Sequence, residues 1–171
     1  MFQLDESQIQ EYQNDKPEYY RQLALQLDAL LAEDSNWITN MAQMSAFIFQ
    51  MLPDLNWSGF YLVNPEKADS LILGPYQGKV ACVHIPYGRG VCGAAAATLE
   101  TQLVEDVHKF EGHIACDAAS QSEVVIPVVI NGQLKGVLDI DSPITNRFDQ
   151  QDADGLTLLL NTFTKQTQFP Q

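Results

Sequence analysis

Positive charge is scarce in this sequence. Nine Lys and Arg stand against 22 Asp and Glu, a formal net charge of −13. The nine are scattered without a run or stripe, which sets aside nucleic acid and anionic membrane as partners. Long apolar runs are lacking too: no window approaches the roughly 18 consecutive apolar residues a membrane-spanning helix needs. The opening stretch MFQLDESQIQEYQNDK has neither the basic nor the apolar region of a secretory leader. The expected compartment is therefore the cytoplasm.

Cysteine is also rare, with only Cys82, Cys92 and Cys116. In a reducing compartment, three thiols are expected to be reduced, and any disulfide to be catalytic or redox-sensing. No Cys-x-x-Cys occurs, which argues against a thioredoxin-type motif. The same spacing disfavours a zinc set built from these cysteines with His84, His108 or His113. No metal and no cofactor is expected. What remains open for each thiol is a small buried hydrophobe or a member of a redox relay. Cys116 stands out, because it lies in an irregular segment beside Asp117, Ser120 and Gln121.

The chain's 171 residues suit one domain. We read residues 1–16 as an N-terminal extension and about 17–165 as the core. Residues 17–32 show a helical stripe, with Pro17 in the first turn and Leu23, Leu27, Leu30 and Leu31 on one face. Ser35 is a candidate cap for a second helix, which Pro53 ends. The period then shifts to that of strands at 56–64, 70–78 and 81–85, followed by a short Ala-rich helix at 90–100 and a strand at 101–106. Residues 107–121 show no period and read as a long connection of the kind that often carries function. Asp149 is a candidate cap for a last helix carrying Leu156, Leu159, Leu160 and Phe163, although Gly155 within it costs about 1 kcal/mol. GRGVCG (88–93) fits G-x-G-x-x-G, but no βαβ unit surrounds it; its glycines better serve a sharp turn and a close helix approach. The backbone N–H groups at that helix start could receive a carboxylate. Hairpins between terminal helices give an α+β fold with an antiparallel sheet.

The segment SEVVIPVVINGQLKGVLDIDS (122–142) is a hairpin around Asn131-Gly132. A plain two-residue loop would set Val124, Ile126, Val128 and Ile130 beside Gln133, Lys135, Asp139 and Asp141. Admitting Gln133 to the loop, or inserting one bulge, sets apolar against apolar. It also brings Glu123 opposite Asp141 and Val125 opposite Asp139. A buried face fixes register strongly, which favours this second arrangement. It gathers Glu123, Asp139 and Asp141 on one face, where repulsion raises at least one pKa. Such a trio could hold a cation or keep one acid protonated; the competing reading points one or more of the three to solvent.

Together NWSGFYL, LGPYQGKVACVHIPYGRGVCGAAA, LVEDVHKFEGHIACDAASQSEVVIPV and GVLDIDSP resemble the free methionine-(R)-sulfoxide reductases, single-domain members of the GAF fold. The resemblance spans about residues 17–165. It implies a GAF-like central antiparallel sheet of about six strands with helices packed on its faces. It implies thiol-dependent reduction of free methionine-R-sulfoxide, recycled by thioredoxin. By motif, Cys116 corresponds to the attacking cysteine, Cys82 to the main resolving one, and Cys92 to an additional, exchangeable one. Trp57 corresponds to the residue that packs on the substrate methyl group, and Glu123, Asp139 and Asp141 to the carboxylates around the sulfoxide and amino groups. The chief alternative is a sensory GAF domain binding a cyclic nucleotide, a bilin or haem. The oligomeric state stays open, a homodimer among the choices.

Overall fold

The computed structural model describes residues 2–114 and 116–171. Its centre is a six-stranded antiparallel sheet in the order β3-β2-β1-β6-β5-β4, formed by β1 (Trp57–Val63), β2 (Ser70–Gly78), β3 (His84–Pro86), β4 (Gln102–Val104), β5 (Ser122–Ile130) and β6 (Gln133–Ser142). Five helices flank it: α1 (Glu6–Asn14), α2 (Lys16–Leu31), α3 (Trp37–Met51), α4 (Gly90–Thr98) and α5 (Gln150–Gln166). Alternation along the strands divides the core in two. Phe60, Val124, Ile126, Val128, Leu138 and Ile140 face α1, α2, α3 and α5. Trp57, Tyr61, Val125 and Val137 face α4. This is the expected α+β architecture, and no described helix is long and apolar enough to cross a membrane.

The helix boundaries follow local chemistry. Asp15 caps α2 with Pro17 in its first turn, and Asp149 and Asp152 form a reciprocal capping box on α5. Asn36, not Ser35, caps α3, by accepting from the N–H groups of Ile38 and Thr39. The carbonyl of Ser35 instead accepts from Gln168 N–H at 2.9 Å. The sequence reading offered no element before residue 17, yet α1 forms there on an Asp5–Gln8 capping box. Its one buried side chain, Tyr12, donates to the fully buried Asp152 at 2.6 Å. Tyr20 Oη and Lys16 Nζ reach the same carboxylate at 2.8 Å each, so α1, α2 and α5 close around one charge-assisted hub. Gly155 is required by packing: a Cβ there would lie 2.1 Å from Tyr20 Cγ.

The β5–β6 hairpin takes the bulged register. Asn131 and Gly132, at φ 52 and 77, form a two-residue loop, so Ile130 pairs with Gln133. Gln133 is thus not in the loop, and Ile130 does not face Leu134. The extra residue is Lys135, between the pairs Val129–Leu134 and Val128–Gly136. Beyond the bulge, Ile126 meets Leu138, Val124 meets Ile140, Val125 meets Asp139 and Glu123 meets Asp141.

Candidate active site

Strand pairing builds the site floor. Glu123, Asp141, Trp57 and Gly78 stand side by side across β5, β6, β1 and β2. Two residues along, on the same face, come Val125, Asp139, Gly59 and Tyr76. Gly59 supplies bare backbone: a Cβ there would lie 2.2 Å from Tyr76 Cβ. Tyr76 instead stacks on Trp57 at 4.9 Å between ring centroids, and Tyr61 stacks on Trp57 at 5.7 Å. These contacts hold the indole against the carboxylates.

α4 lies over this floor. Gly93 permits the approach, because a Cβ there would meet Pro86 O at 2.4 Å. Gly90 sits at φ 63 and donates its N–H to Gly112 O. These two glycines serve a turn and a close contact, as the sequence suggested. The helix carries Cys92 inward, 4 % exposed, with Sγ 4.0 Å from Glu123 Oε1. No side chain caps α4, and the N–H groups of Val91 and Cys92 in its first turn have no acceptor among the described residues.

The two remaining cysteines close the mouth. Cys82 belongs to the loop between β2 and β3, since pairing in β3 starts only at His84; the expected strand over 81–85 is shifted to 84–86. Tyr61 Oη donates to Cys82 O at 2.9 Å and fixes this loop to β1. Cys116 lies in the irregular connection, after a short 3₁₀ turn at Val107–Lys109. Asn56 Nδ2 donates to Asp117 Oδ2 and Ser120 Oγ, both at 3.0 Å, and so ties the Cys116 segment to the start of β1. A disulfide joins Cys82 to Cys116, with Cα atoms 5.5 Å apart; Cys92 is free and buried.

A cavity of about 40 Å³ remains between floor and mouth. Of the seven residues singled out from sequence, Trp57, Cys92, Cys116, Glu123, Asp139 and Asp141 line it, and Cys82 is bonded to Cys116. The carboxylates do not point to solvent: Glu123, Asp139 and Asp141 are 7 %, 5 % and 9 % exposed. Sequence reasoning missed Tyr61, Tyr76 and Asn56. The first two sit on strands already read as such, and their inward direction follows from Trp57 by period two and by the β1–β2 pairing. Nothing local marks Asn56, whose partners lie 61 and 64 residues away.

The electrostatics are one-sided. Among the described residues, no Lys, Arg or His forms an ion pair with Glu123, Asp139 or Asp141. Burial and the neighbouring negative charges push the Glu123 and Asp141 carboxyls well above the usual range, and burial raises Asp139 as well. Burial, then Asp139, Glu123 and Asp141, push the Cys92 thiol far up, which keeps it protonated. Asp139 Oδ1, Asp141 Oδ1 and Trp57 Nε1 are buried without a hydrogen-bond partner among the described residues. Unpaired buried polar atoms are costly, and a cluster of them beside a cavity marks a place shaped for a polar guest.

Residues 39–164 match the GAF domain family. The chain is 49% identical over 150 residues to the free methionine-R-sulfoxide reductase of Escherichia coli, covering 88% of this chain and 89% of that protein. This chain belongs to the free methionine-R-sulfoxide reductase family of GAF-domain proteins. It is also 43% identical over 159 residues to the Saccharomyces cerevisiae free methionine-R-sulfoxide reductase, covering 90% of this chain and 88% of the yeast protein. Among solved structures, it resembles the free methionine-R-sulfoxide reductase of Neisseria meningitidis in complex with its substrate. That match has a TM-score of 0.84 at 40% identity, over 89% of this chain and 90% of the other.

Proposed function

We propose that this protein reduces free L-methionine (R)-sulfoxide to L-methionine through a cysteine relay. One observation carries the reading: a disulfide-forming pair stands over a cavity whose buried carboxylates form no ion pair among the described residues. Such a cavity suits a small guest that brings its own positive charge and a bond for a thiol to attack. The relatives named for this activity support it.

In the reduced protein, the Cys116 thiolate attacks the sulfoxide sulfur. The oxygen must be protonated as the sulfur–oxygen bond breaks, and a carboxylic acid of raised pKa is a suitable donor. Glu123 and Asp141 both fit, being pushed furthest from the ordinary carboxylate range. The oxygen leaves as water. A water then attacks Cys116 Sγ, the sulfur–sulfur bond breaks with its electron pair passing to the substrate sulfur, methionine leaves, and Cys116 becomes a sulfenic acid with loss of a proton. The Cys82 thiol then attacks that sulfur, water leaves, and the Cys82–Cys116 disulfide forms.

Binding follows from the same geometry. The carboxylates receive the substrate ammonium, and the free N–H groups of Val91 and Cys92 at the start of α4 receive its carboxylate. Trp57, backed by Tyr61 and Tyr76, presents a flat apolar surface to the S-methyl group. An enclosed site that binds both ammonium and carboxylate rejects a peptide-bound residue, which has neither. Cytoplasmic thioredoxin is the reductant that best fits an exchangeable disulfide; Val80 and Val83, 86 % and 52 % exposed, flank Cys82 and offer it an apolar landing.

The test is NADPH consumption in the presence of thioredoxin and thioredoxin reductase. Turnover is expected on free methionine-R-sulfoxide and not on the S epimer or a peptide-bound sulfoxide. Absence of turnover on the R epimer overturns the proposal.

A further inference from the structure

Helix α4 and the sheet floor bring together donors of two kinds. Cys92 Sγ and carboxylate oxygens of Glu123 and Asp139 lie within 4.8 Å of one another, and all three residues are buried. Asp139, only 5 % exposed, has Oδ1 without a hydrogen-bond partner among the described residues, and Asp141 Oδ1 beside it is in the same condition. Among the described residues no cationic side chain forms an ion pair with them, although Arg89 and His113 line the same cavity. A substrate ammonium would neutralise one charge here; a divalent ion would neutralise two.

The donor set selects among ions. Mg²⁺ and Ca²⁺ demand six or more oxygens, and a thiol is a poor ligand for either. Zn²⁺ accepts a thiolate at about 2.3 Å and carboxylate oxygens at about 2.0–2.2 Å, in a tetrahedron that tolerates one open position. Bonds of these lengths set tetrahedral donors about 3.4–3.6 Å apart, so three donors now within 4.8 Å of one another close by about 1 Å to reach that geometry. Three protein donors leave one tetrahedral position for a water; Asp141 is not among the donors within 4.8 Å of one another.

We propose that Cys92, Glu123 and Asp139 form an inhibitory Zn²⁺ site that competes with the substrate ammonium. The ion displaces the thiol proton of Cys92 and the carboxyl proton of Glu123 to solvent, sulfur–metal and oxygen–metal bonds form, and no oxidation state changes. Cys92 thus has a use that requires no part in the disulfide. The competition rests on the proposed function; the binding does not.

Cobalt(II) is the probe, because a thiolate ligand gives it a sulfur-to-metal charge-transfer band. The protein is reduced with a phosphine and tested as wild type and as C82S/C116S, in which Cys92 is the sole thiol. Both are expected to show the band, and Zn²⁺ to abolish it. C92S and C92A are expected to lack it, and Glu123→Gln to weaken cobalt affinity at least tenfold. In turnover assays, Zn²⁺ is expected to raise the apparent KM for the sulfoxide and leave kcat unchanged. A missing band in both wild type and C82S/C116S, or a band that survives C92S in the double-variant background, overturns the site. Zn²⁺ that binds but lowers kcat without moving KM overturns the competition.

Discussion

Glu123 and Asp141 face each other across β5 and β6, both buried, and both belong to the one face of the sheet that α4 covers. Two carboxyl groups so placed cannot both ionise cheaply. Burial and neighbouring negative charge raise both, and neither forms an ion pair among the described residues.

A pH dependence of stability follows. The raised carboxyl pKa values mean that the folded protein keeps protons the unfolded chain has already released. The native state therefore binds more protons, and stability falls as pH rises from about 4 through the raised folded values. Below about 4 the contribution is constant, since both states are protonated. Thermal unfolding between these limits should show a shallower fall for Glu123→Gln and Asp141→Asn than for the parent. Parallel curves would contradict the assignment.

The same protons bear on rate. kcat should decline on the alkaline side as the donor ionises. Loss of the donor by Glu123→Gln or Asp141→Asn should lower kcat by about 10²–10⁴ for whichever acid protonates the oxygen. A pH–rate profile of each variant identifies it, because the alkaline limb disappears only with the true donor.

The cysteines should separate cleanly. Cys116→Ser should abolish methionine formation. Cys82→Ser should still give one methionine per protein in a rapid burst and then stall, because the sulfenic acid lacks its partner. Cys92→Ser should sustain turnover through Cys82. Quenched-flow measurement of methionine distinguishes these three outcomes.

The apolar skin around Cys82 should matter to the reductant alone. Val83→Asp is expected to raise KM for thioredoxin about tenfold, equivalent to about 1.4 kcal/mol. KM for the sulfoxide should not move. A shift in the sulfoxide KM instead would place Val83 in the substrate site.

Gly155 offers a stability test away from the cavity. Alanine is the better helix former by about 1 kcal/mol. Yet its Cβ would fall 2.1 Å from Tyr20 Cγ, in a ring whose hydroxyl anchors to Asp152. Gly155→Ala should therefore destabilise by about 1–3 kcal/mol in urea unfolding. A gain in stability would show that Tyr20 can yield.

The hairpin shows how far sequence reading reaches. The demand that Val124, Ile126 and Val128 face apolar partners called for one extra residue between the strands, and that alone set Glu123 opposite Asp141. It did not say where the residue would sit, because a three-residue loop and a bulge at Lys135 satisfy the same face. α1 escaped notice for a different reason. It buries only Tyr12, and the carboxylate that holds Tyr12 lies 140 positions away. ACVHI alternates like a strand, but its bonds to β2 reach back only to Val83, and Cys82 turns away to its disulfide with Cys116. The disulfide pairing and the burial of Cys92 on the inner face of α4 depend on loop paths that no local pattern encodes.

In the proposed relay, oxidation passes from substrate to the Cys82–Cys116 pair and leaves Cys92 untouched. Fully reduced protein, mixed with one equivalent of free methionine-R-sulfoxide and no other reductant, should release one methionine and lose two of its three thiols. Alkylation under denaturing conditions followed by peptide mapping should then find Cys92 alkylated and Cys82 joined to Cys116. Methionine formed with all three thiols intact, or a disulfide that includes Cys92, would contradict the account.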